Sequence, residues 1–258
     1  MKANRFKKAV AEGRVPVGHM VWEFSTRGVA HMVANAGADF VLLDMEHSGF
    51  DNDRIADLIG WFKATDVAPF VRVPQTLYHF LARVMDVGAL GVMNPCVESA
   101  AQAKEIVDAV KYAPLGRRGV GLGTAHTNWT GPNPVDYFKW SNENSTIICQ
   151  IESVKGKENQ EAIAATPGVD LLWVGHVDLT QSMGIPGQFQ DAKFQEYLKL
   201  VPQVAKKHGK LAGIQPATTE QAREWIAAGY NAISWGSDSA VYGRALKDGI
   251  EGVRKLLG

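Results

Sequence analysis

The chain has 258 residues, of which 46% are hydrophobic, so it can bury a sizeable core in one large domain or two small ones. Its 27 basic residues balance its 27 acidic ones, and no net field therefore favours nucleic acid or an anionic membrane surface. No apolar run approaches the ~20 residues that span a bilayer, and no apolar signal segment follows the basic N-terminus. We expect a cytoplasmic protein that binds neither nucleic acid nor membrane.

Two cysteines, Cys96 and Cys149, lie inside apolar runs that have the composition of strands. A pair of thiols in a chain of this length is typical of a reducing compartment, and it favours free thiols over a disulfide or a metal site. The sequence therefore predicts two buried thiols in a cytoplasmic protein.

Candidate strands recur along the chain, and each precedes a polar or Gly/Pro-containing loop and then a helical pattern. The clearest helical patterns are Arg54–Phe62 and Thr219–Ile226, where apolar residues recur every three or four positions. The eight candidate strands lie at Val15–Phe24, Phe40–His47, Pro69–Pro74, Gly91–Val97, Thr146–Ser153, Leu171–Leu179, Leu211–Ala217 and Ala232–Asp238.

Four of the joints between a helix and the next strand contain a glycine placed to end the helix, namely Gly37, Gly88, Gly168 and Gly229. A repeated unit of strand, helix and glycine predicts parallel strands, and eight of them predict a closed barrel. An open doubly wound sheet would have fewer strands and a switch-point signature, which the chain lacks. We predict an α/β fold, a (β/α)8 TIM barrel, as one domain over residues 1–258.

Chemically active side chains follow the predicted strands at their C-terminal ends. In a barrel these ends share one mouth, where such residues are typical of an active site. They are Asp44, Glu46 and His47 after the second strand, Arg72 after the third, Pro95 after the fourth, Gln150 and Glu152 after the fifth, and His176 and Asp178 after the sixth. We also expect the glycine-rich stretch 111–145 to form a functional loop at this mouth.

Strand alternation indicates which of these side chains enter the mouth. Gln150 and Glu152 share one face of their strand, and His176 and Asp178 share a face if the sixth strand continues that far. Glu152 and Asp178 would then offer hard oxygen ligands to one divalent cation, with the other positions left to water and substrate. The alternative is that one of them forms a plain buried salt bridge with Arg72.

Asp44 lies three residues before His47, so its carboxylate could orient the imidazole as a general base. The alternative is a His47 that only caps a loop. Arg72 could donate to a carboxylate or an enolate oxygen, and it could also form a salt bridge to Glu46 or Asp86.

In combination, six short motifs resemble the metal-dependent (class II) pyruvate aldolases typified by 4-hydroxy-2-oxoheptanedioate aldolase and the 2-dehydro-3-deoxy-sugar-acid aldolases, in the aldolase/citrate lyase superfamily. The resemblance extends from about Val17 to Arg244. Its motifs are Leu43–His47, Val71–Pro74, Asp86–Ala89, Arg117–Gly121, Gln150–Glu152, and Val177–Thr180 followed by Met183 and Gly184.

The resemblance implies a (β/α)8 barrel whose last helix is exchanged between subunits, in a homo-oligomer built as a trimer of dimers. It implies a divalent cation, Mg²⁺, Mn²⁺ or Co²⁺, held by Glu152 and Asp178, with Glu46, Asp86 and His176 in a supporting layer around the site. Its other implied roles are enolate stabilisation by Arg72, keto-acid contact by Gln150, carboxylate binding by the amides of Val177 and Asp178, and proton transfer by His47 with Asp44.

The implied reaction is reversible cleavage of a 4-hydroxy-2-oxo acid into pyruvate, or a related 2-keto acid, and an aldehyde, through a metal-stabilised enolate. Two alternatives stay open: an enolate-condensing enzyme that decarboxylates oxaloacetate, as macrophomate synthase does, and a barrel that binds a keto acid without turnover. The family usually has Gly-Pro-Ala-Asp where this chain has Gly175-His176-Val177-Asp178, so His176 could contact the metal or the substrate.

Overall fold

The computed structural model describes residues 2–257 and confirms the predicted (β/α)8 barrel. Eight parallel strands close into a barrel in sequence order, and the last strand pairs with the first. The strands are β1 Val17–Val21, β2 Phe40–Asp44, β3 Ala68–Arg72, β4 Gly91–Asn94, β5 Thr146–Ile151, β6 Leu171–Val174, β7 Leu211–Ile214 and β8 Ala232–Ser237. Strand β3 begins one residue before its predicted run, the other seven lie within theirs, and all eight end before the predicted C-terminal bound.

Helices connect the strands on the outside of the barrel. They are α1 Arg5–Ala11, α2 Gly28–Asn35, α3 Asn52–Phe62, α4 Tyr78–Asp86, α5 Ala100–Val110, α6 Pro134–Asn144, α7 Val154–Glu158, α8 Gln160–Ala165, α9 His176–Ser182, α10 Ala192–Lys207, α11 Thr219–Ala227 and α12 Asp238–Lys255. A short 3₁₀ turn covers Ala125–Thr127. Within residues 2–257, every helix is too short or too polar to traverse a bilayer.

The four predicted joint glycines all have positive φ angles, between 85° and 111°. An L side chain is disfavoured there, so glycine ends each helix at low cost. Gly37, Gly88 and Gly229 directly follow the C-cap residue, whereas Gly168 lies one position further on, after Pro167.

Side-chain alternation divides the strands into an inner and an outer core. Val41 and Leu43 of β2 pack outward against the helices, whereas Phe40 and Leu42 fill the barrel interior. Asp44 continues the inward series at the end of β2, and Arg72 and Gln150 do so on β3 and β5. The pleat therefore aims these three polar side chains into the mouth.

Helix α1 closes the other end of the barrel. Its Phe6 ring packs edge-on against the rings of Phe40 and Phe70, with centroids 5.2 and 5.3 Å away. All three rings are at most 2% exposed. Helix α1 thus closes the N-terminal end of the barrel, and an active site is expected at the C-terminal end.

Helix α12 extends away from the barrel that it follows. From Ala240 to the end of the helix its residues are exposed, including a set of large apolar side chains. These are Val241, Tyr242, Leu246, Ile250 and Val253, which are 40 to 59% exposed. An apolar groove of about 720 Å³ runs between α2 and the first turns of α12.

Candidate active site

Asp44 and Arg72 form a paired unit at the end of β2 and β3. They are direct partners in the register of the two strands. Both Asp44 carboxylate oxygens accept from Arg72, from Nε and Nη2 at 2.7 Å each. Burial alone would lower the pKa of Arg72, but the hydrogen bonds and charge of Asp44 raise it, and the net pKa lies above its ordinary value. The guanidinium is therefore a fixed cation in the mouth.

Contrary to our expectation, the Asp44 carboxylate contacts the main chain of His47 and not its imidazole ring. Its remaining acceptor capacity goes to the main-chain N–H groups of Glu46 and His47, at 3.0 and 3.2 Å. The carboxylate therefore shapes the turn after β2 instead of contacting the ring. The His47 side chain is 54% exposed, lines the mouth, and has its Nε2 3.8 Å from Oε2 of Glu46.

Glu46 is the second carboxylate near Arg72, with its Oε2 3.2 Å from Nη1. The expected salt bridge between these two residues therefore exists, alongside the pairing with Asp44. Burial raises the pKa of Glu46 to about 7; Arg72 opposes this, and the carboxylates of Glu152, Asp44 and Asp178 reinforce it. Negative charge is thus concentrated here beyond what one guanidinium neutralises.

Gln150 and Glu152 lie together in the mouth, as alternation along β5 predicts. The Gln150 amide donates to Oε2 of Glu152, whose Oε1 accepts from the Cys96 main-chain N–H at 2.6 Å. Cys96 has a φ of 50°, which turns that N–H toward the carboxylate. Oε1 of Gln150 is buried and finds no hydrogen-bond partner among residues 2–257, so it can still bind a donor.

The two cysteines differ more than the sequence suggests. Cys149 is buried on the outer face of β5 as predicted, and both residues are free thiols. Cys96 is exposed, because β4 ends two residues before it at Asn94. The prediction of a buried Cys96 is therefore wrong.

The sixth strand ends at Val174, so His176 and Asp178 are not strand residues sharing a face. They lie in the first turn of α9, and Gly175 is its N-cap. An added Cβ at Gly175 would collide with Oε2 of Glu152 and would lie 2.8 Å from Nε2 of Gln150, so glycine lets these side chains cross the start of the helix.

His176 packs among aromatic rings, with centroid distances of 5.4 Å to Phe189 and 6.1 Å to Trp225. Burial lowers its pKa and Asp178 partly opposes this, so the neutral imidazole is favoured. The ring also lines the mouth, in which Asp178 and Val177 are exposed.

Asp86 does not join the mouth of this chain. It ends α4, which runs from the end of β3 back to the start of β4, and so lies at the opposite end of the barrel. There it pairs with Arg118 at 2.5 Å and not with Arg72.

The stretch 111–145 follows helix α5 and lies at the same end of the barrel as Asp86. There the His126 ring contacts the Asp86 main-chain carbonyl, so our placement of this stretch at the mouth is wrong.

Carboxylate oxygens are the donors that the mouth offers to a cation. Among residues 2–257, no group of three or more His, Cys, Asp or Glu side chains is arranged to hold a metal ion. The carboxylates of Glu152 and Asp178 each lie close enough to Glu46 to raise its pKa. Oxygen donors with most positions left to water and substrate suit a hard divalent cation such as Mg²⁺ or Mn²⁺.

The mouth contains a cavity of about 450 Å³, large enough for a small organic acid. Six of the predicted site residues line it, namely His47, Arg72, Gln150, His176, Val177 and Asp178. Its lining also includes Trp22, Gln215, Ser237 and Arg244, which sequence reasoning missed. Gln215 directly follows β7 and Ser237 ends β8, so attention to these strand ends would have found both. Arg244 has no such signal, because only the direction of α12 brings it to the mouth.

Comparison with known proteins gives consistent results along nearly the whole chain. The model of the family described as HpcH/HpaI aldolase/citrate lyase matches residues 20–245. The 5-keto-4-deoxy-D-glucarate aldolase of Klebsiella pneumoniae is 36% identical over 240 residues, covering 93% of this chain and 92% of that protein.

Solved structures also match nearly the whole length of the chain. The HpcH/HpaI aldolase from Desulfitobacterium hafniense has a TM-score of 0.91 at 31% identity, covering 96% of both chains. A citrate synthase, SbnG, has a TM-score of 0.88 at 27% identity, covering 96% of this chain and 97% of that one.

Proposed function

The chain belongs to the HpcH/HpaI aldolase/citrate lyase family and is an aldolase, and from that premise we propose that it reversibly cleaves a 4-hydroxy-2-oxo acid to pyruvate, or a related 2-keto acid, and an aldehyde. One observation carries the proposal: Arg72, paired with the buried Asp44 and next to the Glu46 carboxylate, lines a cavity sized for a small acid together with His47, Gln150 and Asp178. This arrangement supports chemistry that forms negative charge on a keto-acid oxygen.

In this proposal Arg72 stabilises the enolate oxygen. Asp44 fixes the guanidinium on one edge through two hydrogen bonds, and the guanidinium's Nη1 faces Glu46 and the cavity. A preorganised donor of this kind need not reorient as charge develops, which is how it lowers the barrier. Gln150 contacts the keto acid, and the main-chain amides of Val177 and Asp178 bind its carboxylate.

His47 is the proposed proton carrier. Its ring lines the cavity and is half-exposed, so it can exchange protons with solvent and with a bound substrate. Because Asp44 only contacts the main-chain N–H of His47, it positions the imidazole through the backbone. Among residues 2–257, no lysine lines the cavity, and the proposed enolate chemistry needs no Schiff base.

Glu152 and Asp178 are the proposed ligands of a divalent cation, Mg²⁺, Mn²⁺ or Co²⁺. Such a cation would supply Lewis-acid stabilisation of negative charge on the keto acid. Gln150 and the Cys96 N–H hold the Glu152 carboxylate in place, and Glu46 and His176 lie beside the set.

Proton exchange at the methyl group of pyruvate tests this function without a guess at the aldehyde. The metal-stripped protein is placed in deuterated water with pyruvate, Mg²⁺ or Mn²⁺ is added, and exchange is followed by NMR. We expect metal-dependent exchange that His47→Ala and Arg72→Ala each lower by about 10²- to 10³-fold. Exchange that proceeds equally without metal, or is absent in folded protein with every cation, would contradict the proposal; release of CO₂ from oxaloacetate in the latter case would favour the decarboxylating alternative.

We also propose that the protein is a homo-oligomer in which α12 packs against a neighbouring copy. The apolar side chains of this helix, among them Leu246, Ile250 and Val253, are exposed on their own barrel. An exposed apolar stripe of this length is typical of an interface. Light scattering should give a mass above 28.1 kDa for the wild type and a smaller mass for a Leu246→Asp, Val253→Asp variant.

A further inference from the structure

The loop between β4 and α5, residues 95–99, contacts one of the proposed metal ligands through its backbone. The main-chain N–H of Cys96 donates to Oε1 of Glu152 at 2.6 Å. Cys96 reaches this position with a φ of 50°, which residues other than glycine adopt only at a cost in free energy. Such a conformation persists when the surroundings hold it, so contacts outside Cys96 must keep its N–H directed at the carboxylate.

The side-chain amide of Gln102, in the first turn of α5, contacts the backbone at Cys96 and two residues further on. Its Nε2 donates to the Cys96 carbonyl at 3.2 Å, and its Oε1 accepts from the Glu98 main-chain N–H at 2.9 Å. Because a backbone N–H can only donate, it identifies the Oε1 end of the amide. Nε2 also donates to the Thr76 hydroxyl at 2.8 Å, which ties the amide to the loop after β3.

We propose that Gln102 is a positioning residue for Glu152 and acts through the peptide of Cys96. This inference rests on the proposed function, in which Glu152 binds the cation. The Gln150 amide and the Cys96 N–H each occupy one oxygen of the Glu152 carboxylate and so fix its rotation. A group that orients a metal ligand raises metal affinity, because the ligand need not be ordered when the cation binds.

The alternative is that Gln102 only caps α5. The N-cap residue of this helix is Ser99, whose hydroxyl accepts from the Gln102 main-chain N–H at 3.1 Å. Ser99→Ala is therefore the matched control, since it weakens the start of the same helix and leaves the Gln102 side chain intact. Gln102→Leu removes the three side-chain hydrogen bonds at nearly the same side-chain size.

The Cys96 amide proton reports directly on the proposed contact. The chain has two cysteines, so labelling with ¹⁵N-cysteine gives two main-chain amide signals in NMR spectra of the metal-free protein, and Cys149 in β5 is an internal reference. A short hydrogen bond to a carboxylate shifts an amide proton downfield. Glu152→Ala removes the acceptor and should move the Cys96 signal upfield, which assigns it. Gln102→Leu should move the signal in the same direction, and Ser99→Ala should leave it in place.

Mn²⁺ binding, followed by electron paramagnetic resonance, measures the consequence for the ligand. Gln102→Leu should raise the Kd for Mn²⁺ by roughly tenfold, the lower end of the usual effect of losing an orienting group, because Gln150 still holds the other carboxylate oxygen. Ser99→Ala should keep the wild-type Kd. Circular dichroism should show that both variants fold.

An unchanged Kd or an unchanged Cys96 signal in Gln102→Leu would overturn the proposal. So would a Ser99→Ala variant that changes both as strongly, since Gln102 would then act only as a cap of α5. Failure of the proposed function is recognised separately: the wild type would bind no Mn²⁺, whereas the amide signals, recorded without metal, would still show whether Gln102 holds the Cys96 peptide.

Discussion

Two buried aspartates mark the two ends of β2, and they serve different purposes. Asp39 precedes the strand at the sealed end and accepts from Arg5 at 3.1 Å, from Arg14 at 3.5 Å and from the main-chain N–H of Val17 at 3.1 Å. It ties α1 and β1 to the barrel. Asp44 ends the strand at the mouth and holds Arg72, whose other edge remains directed at Glu46 and the cavity.

Asp39 and Asp44 differ in whether their hydrogen-bond partners contact further groups in the barrel. The partners of Asp39 are two half-exposed arginines and a backbone N–H group, so this hydrogen-bond network does not extend into the barrel interior. At Asp44 the partner Arg72 contacts a further group, because its Nη1 lies 3.2 Å from Oε2 of Glu46. A barrel can thus use one residue type for stability at one end and for catalysis at the other, as the general asymmetry of this fold predicts.

The largest expected effect is at the proposed metal ligands. Glu152→Ala and Asp178→Ala should each lower metal-dependent proton exchange of pyruvate by about 10³-fold or more, because Lewis-acid stabilisation is worth several kcal/mol. Asp57→Ala is the control, since Asp57 is an exposed acid on α3. Circular dichroism should show that all three variants fold. Full activity in either ligand variant would remove the proposed metal site.

Arg72→Ala should lower proton exchange by about 10²- to 10³-fold, the usual cost of losing one preorganised donor. It also leaves Asp44 buried without its cation, so the variant should be less stable by about 3–5 kcal/mol. Arg72→Lys separates the two effects, because it keeps the charge and loses the two-point geometry. Exchange at the normal rate in Arg72→Ala would show that Arg72 is only the structural partner of Asp44.

The fold and much of this mouth follow from local pattern. Most strands are short apolar runs that end at or just before a polar residue, and the glycine joints repeat four times. The pairing of Gln150 with Glu152 follows from a two-residue spacing, which sequence displays directly. The Asp44–Arg72 bond does not, because 28 residues separate the partners and register alone brings them together.

The wrong predictions for His176 and Asp178 have one physical source: the sequence does not show where the sixth strand ends. His176–Val177–Asp178–Leu179 alternates polar and apolar residues, and this suits a strand as well as the first turn of a helix. The acidic residue shortly after Gly175 was a helix-start signal, since Asp is favoured near a helix N-terminus. Asp86 shows the same limit on a larger scale: a motif does not indicate which end of a barrel its residue faces.

Asp39→Ala should test the stability side of the comparison. We expect a loss of about 1–3 kcal/mol, because the Val17 N–H and two guanidinium groups lose their acceptor and the guanidiniums can rehydrate. Asp39→Asn keeps an acceptor for Val17 and should lose less. Chemical denaturation measures both, and pyruvate exchange should change by less than about threefold at temperatures where the variants are folded. A larger loss of exchange would mean that the two ends are coupled.

The smallest expected effect concerns Glu46. Its pKa of about 7 in the folded protein lies above its ordinary value of 4.5, so the native state binds the proton more tightly than the unfolded chain. Ionised Glu46 therefore costs stability as pH rises from about 4.5 through 7, and the full cost is present above pH 7. In metal-free protein, Glu46→Gln should raise Tm by about 2–4 °C at pH 8, with the gain shrinking toward pH 5.

Glu98→Gln is the control of opposite sign. The Ser153 hydroxyl, with Lys155, lowers the pKa of Glu98, so its charge contributes stability above its ordinary pKa and loses it as pH falls. Its replacement should lower Tm at pH 8, where Glu46→Gln raises it. If both substitutions lowered Tm at pH 8, Arg72 would stabilise the ionised Glu46 by more than burial destabilises it. The mouth would then hold no excess negative charge for a cation to neutralise.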